Sequence, residues 1–179
     1  MEYSVGEHVR DAAVALFYAP MQPYITVPRC YGKTLSACME TGLGASGYDC
    51  SGLVISAISA VYGVQPTTWS RDYRHAVQMA TLVDRKGSEW DWTRQNARLG
   101  DCLVFRRVIG AQERPSHMGI ITRMPDARGG MILTHAARPT KYFCGEVIPQ
   151  LVEPKWFDEN RVQGVISLEG LVRHGLAHA

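Results

Sequence analysis

Residues 49–63 read DCSGLVISAISAVYG, and nearly every position in this stretch is apolar or small. Such a segment is typical of a helix that is buried on most of its sides. Asp49 is a favourable N-cap residue and Gly63 is a favourable residue just beyond a helix end. The pattern therefore predicts a core helix over 50–62, with Cys50 in its first turn.

Cys50 is the candidate nucleophile of this helix. The first turn offers unpaired backbone N–H groups and the positive end of the helix dipole, which stabilise the thiolate form that attacks electrophiles. The carboxylate of Asp49 opposes this effect, so a catalytic role also requires a base. A buried cysteine without a chemical role is the alternative interpretation, because free cysteines are among the most buried residues.

Two histidines lie at the ends of apolar segments in the second half of the chain. His117 begins the segment HMGIIT, and His135 ends the segment MILTH. If the two segments pair as antiparallel strands across the turn at 123–130, two registers place His135 opposite either His117 or Gly119. Both registers put the imidazoles on one face, with Cβ atoms roughly 5 to 8 Å apart. A base and a group that orients it are what a nucleophilic cysteine needs, although histidines at strand ends are also common surface residues.

The chain changes from helical patterns to strand patterns along its length. A first helix is predicted from about residue 5 to the prolines at 20 and 23, and an irregular segment follows over 25–47. The remaining predicted elements are helices over 35–39 and 71–82 and strands over 103–105, 118–122, 131–134 and 162–168. Helices followed by consecutive strands predict an α+β fold with an antiparallel sheet. We expect a single domain over 1–179.

Composition excludes several classes of protein. The 179 residues are 46% hydrophobic and carry a net charge of +2, which does not fit a disordered chain. Basic residues form no long run, so we expect no nucleic-acid partner, and no apolar stretch reaches the ~18 residues of a membrane span. The apolar stretch 12–19 follows acidic residues and is interpreted as helix rather than signal peptide. We therefore expect a cytoplasmic protein or one exported by a route other than the Sec pathway.

No metal or cofactor is expected. The five cysteines include no C-x-x-C pair. His174 and His178 have H-x-x-x-H spacing, but they lie in the C-terminal tail and are interpreted as surface residues. Cys50 with His117 and His135 would supply only three zinc ligands.

Four short motifs resemble, in order, those of the NlpC/P60 family of cysteine peptidases. YDCSGLV at 48–54 resembles the nucleophile motif, and LGDCLVF at 99–105 resembles the G-D-L-V-F-F strand. SHMGII at 116–121 resembles the H-V-G-I-Y strand that carries the general base, and THA at 134–136 resembles the third motif. The resemblance covers about residues 5–170.

The resemblance implies a papain-like fold, with helices packed on a central antiparallel sheet, and hydrolysis of peptide or isopeptide bonds. Bacterial members mostly cleave cell-wall (murein) peptides, often between D-γ-glutamyl and diaminopimelate. Cys50 would attack the carbonyl, His117 would act as the general base, and His135 would orient His117.

The residues that would bind substrate by the same resemblance are Tyr24, Asp49 and Ser51. The interval from Tyr24 to Cys50 is longer than the family pattern, so Tyr31 is a second candidate for the tyrosine. The insertion over 25–47 would line the cleft, and a Cys30–Cys38 disulfide within it stays open. Cys102 replaces a strand leucine and is expected in the core.

Two other functions stay open at this point. A CHAP-type amidase shares the papain-like core but usually has Glu or Asn as the third residue. A non-catalytic assembly module, such as a phage tail or secretion component, would keep the fold without the chemistry. A delivery or assembly partner would fit either a catalytic or a non-catalytic protein.

Overall fold

The computed structural model describes residues 6–8, 10–12, 50–62, 89–109, 112–125, 129–136, 147–159 and 161–176. Residues 6–8 and 10–12 are helical, in agreement with the predicted first helix. The other helices of this part are α1 (Cys50–Tyr62), α2 (Trp90–Asn96), α3 (Lys155–Asp158) and α4 (Leu168–Leu176). The strands are β1 (Cys102–Ile109), β2 (Gln112–Arg123), β3 (Met131–Ala136), β4 (Val147–Val152) and β5 (Val162–Ile166).

The five strands form one sheet in the order β4-β3-β2-β1-β5. All four neighbouring pairs are antiparallel. The predicted α+β class with an antiparallel sheet is therefore confirmed. The turn between β2 and β3 contains Gly129 at a φ of 86°, a left-handed conformation that glycine adopts without strain.

Two apolar cores cover the two faces of this sheet, because alternate residues of a strand point to opposite faces. The helix-side core joins α1 and the start of α4 to the sheet. Its buried members are Cys50, Val54, Ile55, Ala57, Ile58, Cys102, Val104, Met118, Ile120, Ile166, Leu168 and Leu171. The N-terminal helical segment contributes Ala12 to the edge of this core.

The tryptophan-side core lies against the residues that alternate with those of the helix-side core. Its buried members are Ala97, Leu103, Phe105, Ile121, Met131, Leu133, Val152, Phe157, Val162 and Val165. Trp90, Trp92 and Trp156 are partly buried against it. Both faces of the sheet are therefore covered by apolar side chains at its centre.

Helix α1 matches the prediction at both ends, and its side chains are buried on nearly all sides, as the apolar sequence predicts. The strands predicted over 103–105, 118–122 and 131–134 lie within β1, β2 and β3. None of the helices in the described part of the chain is both long and apolar enough to cross a membrane.

The strand predicted over 162–168 is wrong at its C-terminal end. Strand β5 stops at Ile166, because Ser167 is the residue that caps the start of helix α4. The Oγ atom of Ser167 accepts a hydrogen bond of 3.0 Å from the backbone N–H of Gly170, which is the geometry of an N-cap. Strand β4 and helices α2, α3 and α4 were not among the predicted elements.

Several predictions lie outside the described residues. They are the insertion over 25–47 with its Cys30–Cys38 pair, the helices over 35–39 and 71–82, and the capping residues Asp49 and Gly63.

Candidate active site

Cys50 is the first residue of α1, and its thiol is not part of a disulfide. Only 4% of the residue is exposed. It belongs to the helix-side core together with Met118, the residue that follows His117 in β2. Helix α1 contacts both strands that carry the histidines, β2 and β3. Cys50 packs against the helix-side face of the sheet, whereas His117 pairs with Phe105 on the tryptophan-side face.

The register of β2 and β3 selects one of the two predicted alternatives. Ile120 pairs with Thr134 and Ile121 pairs with Leu133, so Gly119 lies opposite His135 in the same register. A Cβ atom built on Gly119 would lie 2.9 Å from the Cβ of His135, which agrees with direct opposition. His117 is therefore the diagonal neighbour of His135 on the same face of the sheet.

His117 and His135 contact each other directly through their rings. The Nε2 atom of His117 lies 2.6 Å from the Nδ1 atom of His135, within hydrogen-bond distance. The ring centroids are 4.7 Å apart and the planes meet at 78°. One proton lies between the two nitrogens, and the tautomers of the rings decide which nitrogen donates it.

Burial determines the charge of His135. Its pKa is lowered from 6.5 to about 4, because the charged imidazolium loses water on burial. At neutral pH His135 is therefore uncharged and carries a single ring proton. When His117 donates through its Nε2–H, His135 accepts at Nδ1 and keeps its own proton on Nε2.

In this tautomer the two ring nitrogens of His117 have different roles. Its Nε2 atom is held by His135, and its Nδ1 atom is the one that can exchange a proton with a reacting group. His135 can hold the ring in this way without becoming protonated itself, since its pKa lies far below neutral. The pair therefore has the chemistry of a general base with an orienting partner.

Phe105 forms the other contact of the His117 ring. The two residues pair across β1 and β2, and their rings stack at 6.0 Å between centroids with planes 29° apart. Trp156 meets Phe105 edge-on, with 5.8 Å between the ring centroids. The motifs alone did not reveal Phe105 as a neighbour, because that contact depends on the register of β1 and β2.

A β-bulge lies directly beside His117. Phe105 pairs with His117 but Arg106 pairs with Pro115, so β2 contains one extra residue at this point. Bulges redirect side chains and are frequent next to active sites. The regular pairing that holds His117 therefore ends at this residue.

Asp101 is a buried acidic residue directly before β1, and it joins this strand to helix α4. It is 2% exposed, and its two carboxylate oxygens accept hydrogen bonds of 2.9 Å from the backbone N–H groups of Arg98 and Leu168. Leu168 is the first residue of α4, so a negative charge lies at the positive end of that helix. Sequence reasoning noted Asp101 only as part of a motif.

Cys102 is fully buried, and its position in the core is confirmed. Burial, together with the neighbouring charge of Asp101, raises the pKa of its thiol well above the ordinary range. The neutral thiol is a poor nucleophile, so Cys102 is not a candidate for the nucleophile.

The structure describes one of the three residues that are expected to bind substrate. Ser51 is described and is fully buried beside Cys50 in the first turn of α1. Tyr24 and Asp49, and the alternative Tyr31, lie outside the described residues. Within the described ranges, no three His, Cys, Asp or Glu side chains converge as a metal site would require.

Comparison with known proteins links this geometry to a family. The model of the NlpC/P60 family matches residues 39–154, which include Cys50, His117 and His135 and make up well over half of the chain. Proteins of this family are generally cysteine peptidases or amidases. A comparison with curated proteins gave no significant match.

The solved structure of NlpC1 from Trichomonas vaginalis has a similar fold. It aligns over 94% of this chain with a TM-score of 0.54 and 18% sequence identity. The aligned part is 45% of that structure, so this chain spans less than half of its length. From the family match and this shared fold we conclude that the chain belongs to the NlpC/P60 family.

Proposed function

We propose that this protein is a cysteine peptidase or amidase whose catalytic groups are Cys50, His117 and His135. The observation that carries the proposal is the 2.6 Å contact between Nε2 of His117 and Nδ1 of His135. Direct contact with a buried, neutral partner fixes the ring of a general base. In a family of cysteine hydrolases, this contact supports a catalytic rather than a structural pair.

The proposed reaction proceeds in two steps. His117 removes the proton from the Cys50 thiol, and the thiolate attacks the carbonyl carbon of the substrate. The tetrahedral intermediate collapses when His117 gives this proton to the leaving amine, which breaks the C–N bond and leaves a thioester on Cys50. Water then attacks the thioester while His117 takes its proton. Release of the carboxylic acid returns that proton to the cysteine.

The negative oxygen of each tetrahedral intermediate requires hydrogen-bond donors. The backbone N–H of Cys50 is suited to this task, since it lies at the positive end of the α1 helix dipole, which stabilises negative charge. The hydroxyl of Tyr24 is the second proposed donor.

The proposed substrates are bacterial cell-wall peptides, in particular the bond between D-γ-glutamyl and diaminopimelate. The motifs around Cys50 support this class, because Asp49, Ser51 and either Tyr24 or Tyr31 resemble the residues that bind the free N-terminal alanine in cell-wall members. The low net charge of +2 provides little general attraction to anionic wall polymers. We therefore assign recognition to the peptide within the cleft.

The test compares three proteins on defined muropeptides and isopeptide-containing peptides, with the products identified by mass spectrometry. Wild type should cleave at the γ-glutamyl bond, and Cys50→Ala should lose activity by on the order of 10⁴-fold or more, as expected when a nucleophile is removed. Cys102→Ala is the matched control, because it removes a buried thiol of the same core and should keep most of the activity.

The possible outcomes separate the alternatives. Equal turnover by wild type and Cys50→Ala would remove Cys50 as the nucleophile. Folded wild-type protein without turnover of any peptide would favour the non-catalytic assembly module. Cleavage restricted to other amide bonds would keep the cysteine chemistry but reject the cell-wall substrate.

A further inference from the structure

Gly119 lies at the most crowded point between the two strands that carry the histidines. A Cβ atom at this position would lie 2.9 Å from the Cβ of His135 and 3.2 Å from the carbonyl oxygen of Thr134. Real side chains essentially never approach as closely as the first of these distances, so β2 and β3 have their present spacing only with glycine at position 119.

The His135 ring has to reach along the diagonal between the two strands in order to contact His117. Directly opposite residues have Cβ atoms about 5 Å apart, whereas diagonal neighbours are about 7 to 8 Å apart. His135 is opposite Gly119 and diagonal to His117. Its Nδ1 atom nevertheless lies 2.6 Å from Nε2 of His117. The close approach of the two strands at Gly119, where the Cβ of His135 lies nearest, is what brings the rings within this distance.

We infer that Gly119 is a positioning residue, whose missing side chain lets the His135 ring reach His117 across the diagonal. It touches neither the substrate nor the reacting atoms, and it acts through His135. Its effect on catalysis rests on the proposed function, whereas its effect on the contact between the two rings does not.

Gly119→Ala tests this inference, and Gly130→Ala is the matched control. A Cβ atom at Gly130 would also be crowded, at 2.5 Å from the Cδ1 atom of Leu151. That atom is the end of a flexible side chain in a residue that is 46% exposed. Both variants therefore add the same methyl group under steric pressure, Gly119→Ala within β2 and Gly130→Ala directly before β3, but only Gly119→Ala does so beside His135.

The first measurement needs no substrate. In protein with ¹⁵N-labelled histidine, NMR detects the coupling between Nε2 of His117 and Nδ1 of His135 across their hydrogen bond. The coupling should be present in wild type and Gly130→Ala and absent in Gly119→Ala. An unchanged coupling in folded Gly119→Ala would overturn the inference, whatever the protein hydrolyses.

The second measurement is kinetic and uses a background without the His135 ring. Gly119→Ala alone should lower kcat about tenfold or more with little change in KM, since it disturbs the base rather than the binding of substrate. In His135→Gly, which also lacks the Cβ that the added methyl group would meet, introducing Gly119→Ala should cause no further loss. A further loss of tenfold in that background would overturn the inference, and this comparison does not require the single variant to fold.

The two measurements distinguish this inference from the proposed function. If no peptide is cleaved in a Cys50-dependent way, the proposed function fails, while the NMR result still decides the role of Gly119. If cleavage depends on Cys50 but the ring coupling survives in Gly119→Ala, the inference fails and the proposed function stands.

Discussion

At the scale of single residues, the burial of His135 links the stability of the protein to pH. Its pKa is about 4 in the folded protein and 6.5 in the absence of burial. Between these values the unfolded chain takes up a proton that the folded chain does not. The free energy of unfolding therefore decreases as the pH falls from 6.5 to about 4, by up to about 3 kcal/mol from this residue.

The variant His135→Asn should remove this part of the pH dependence. Asparagine does not titrate, so its free energy of unfolding should fall less steeply than that of wild type over the same pH interval. Urea unfolding at a series of pH values, followed by circular dichroism, measures both slopes. Parallel curves for the two proteins would contradict the assignment of the low pKa to His135.

The residues of the site differ in how well the sequence predicts them. The position of Cys50 depends on a local pattern, the start of an apolar helix, and was predicted correctly. The shared face of His117 and His135 follows from strand alternation and was also predicted, but two registers were left open. Phe105 and Gly119 acquire their roles from neighbours on other strands, and no local pattern encodes those neighbours.

At the scale of secondary-structure elements, Asp101 joins the start of β1 to the start of α4. Asp101→Asn would replace one accepting oxygen by an NH₂ group that faces a backbone N–H of either Arg98 or Leu168. Leaving one such buried donor without an acceptor costs about 1–3 kcal/mol. We expect the free energy of urea unfolding to decrease by this amount.

Asp91→Asn is the control for this experiment. The Asp91 side chain is 78% exposed and lies 3.4 Å from the exposed Arg94. Exposed pairs of this kind contribute little to stability, so this variant should unfold within about 0.5 kcal/mol of wild type. Equal losses in the two variants would show that the carboxylate of Asp101 does not hold the two elements together.

Two of the elements that the sequence did not predict, strand β4 and helix α4, contain residues that interrupt a local strand or helix pattern. Strand β4 contains Pro149, which is tolerated because β4 is at the edge of the sheet. Helix α4 contains two glycines, and its first N–H binds Asp101, a residue 67 positions earlier. Such elements depend on distant contacts, whereas α1 and the central strands have continuous apolar patterns.

At the scale of the whole molecule, one sheet separates the helix-side core from the tryptophan-side core. The same strands contribute alternate residues to both, as Val104 and Phe105 do in β1. The order of helices and strands along the chain was enough to predict the class of fold. The second core was not predicted, because its tryptophans come from α2 and from the segment after β4, which carry no strong periodic pattern.

Sharing one sheet should make the two cores unfold together. Ile55 is fully buried in the helix-side core, and Ile55→Val should cost about 0.5–1.5 kcal/mol. In a Trp69→Phe background, tryptophan fluorescence comes only from Trp90, Trp92 and Trp156. It therefore reports on the tryptophan-side core. For a cooperative unit, the substitution should shift the urea midpoint from fluorescence as much as the midpoint from far-UV circular dichroism. A shift seen by circular dichroism alone would mean that the two cores unfold independently. In that case the loss of packing at Ile55 would not destabilise the aromatic residues on the other face of the sheet.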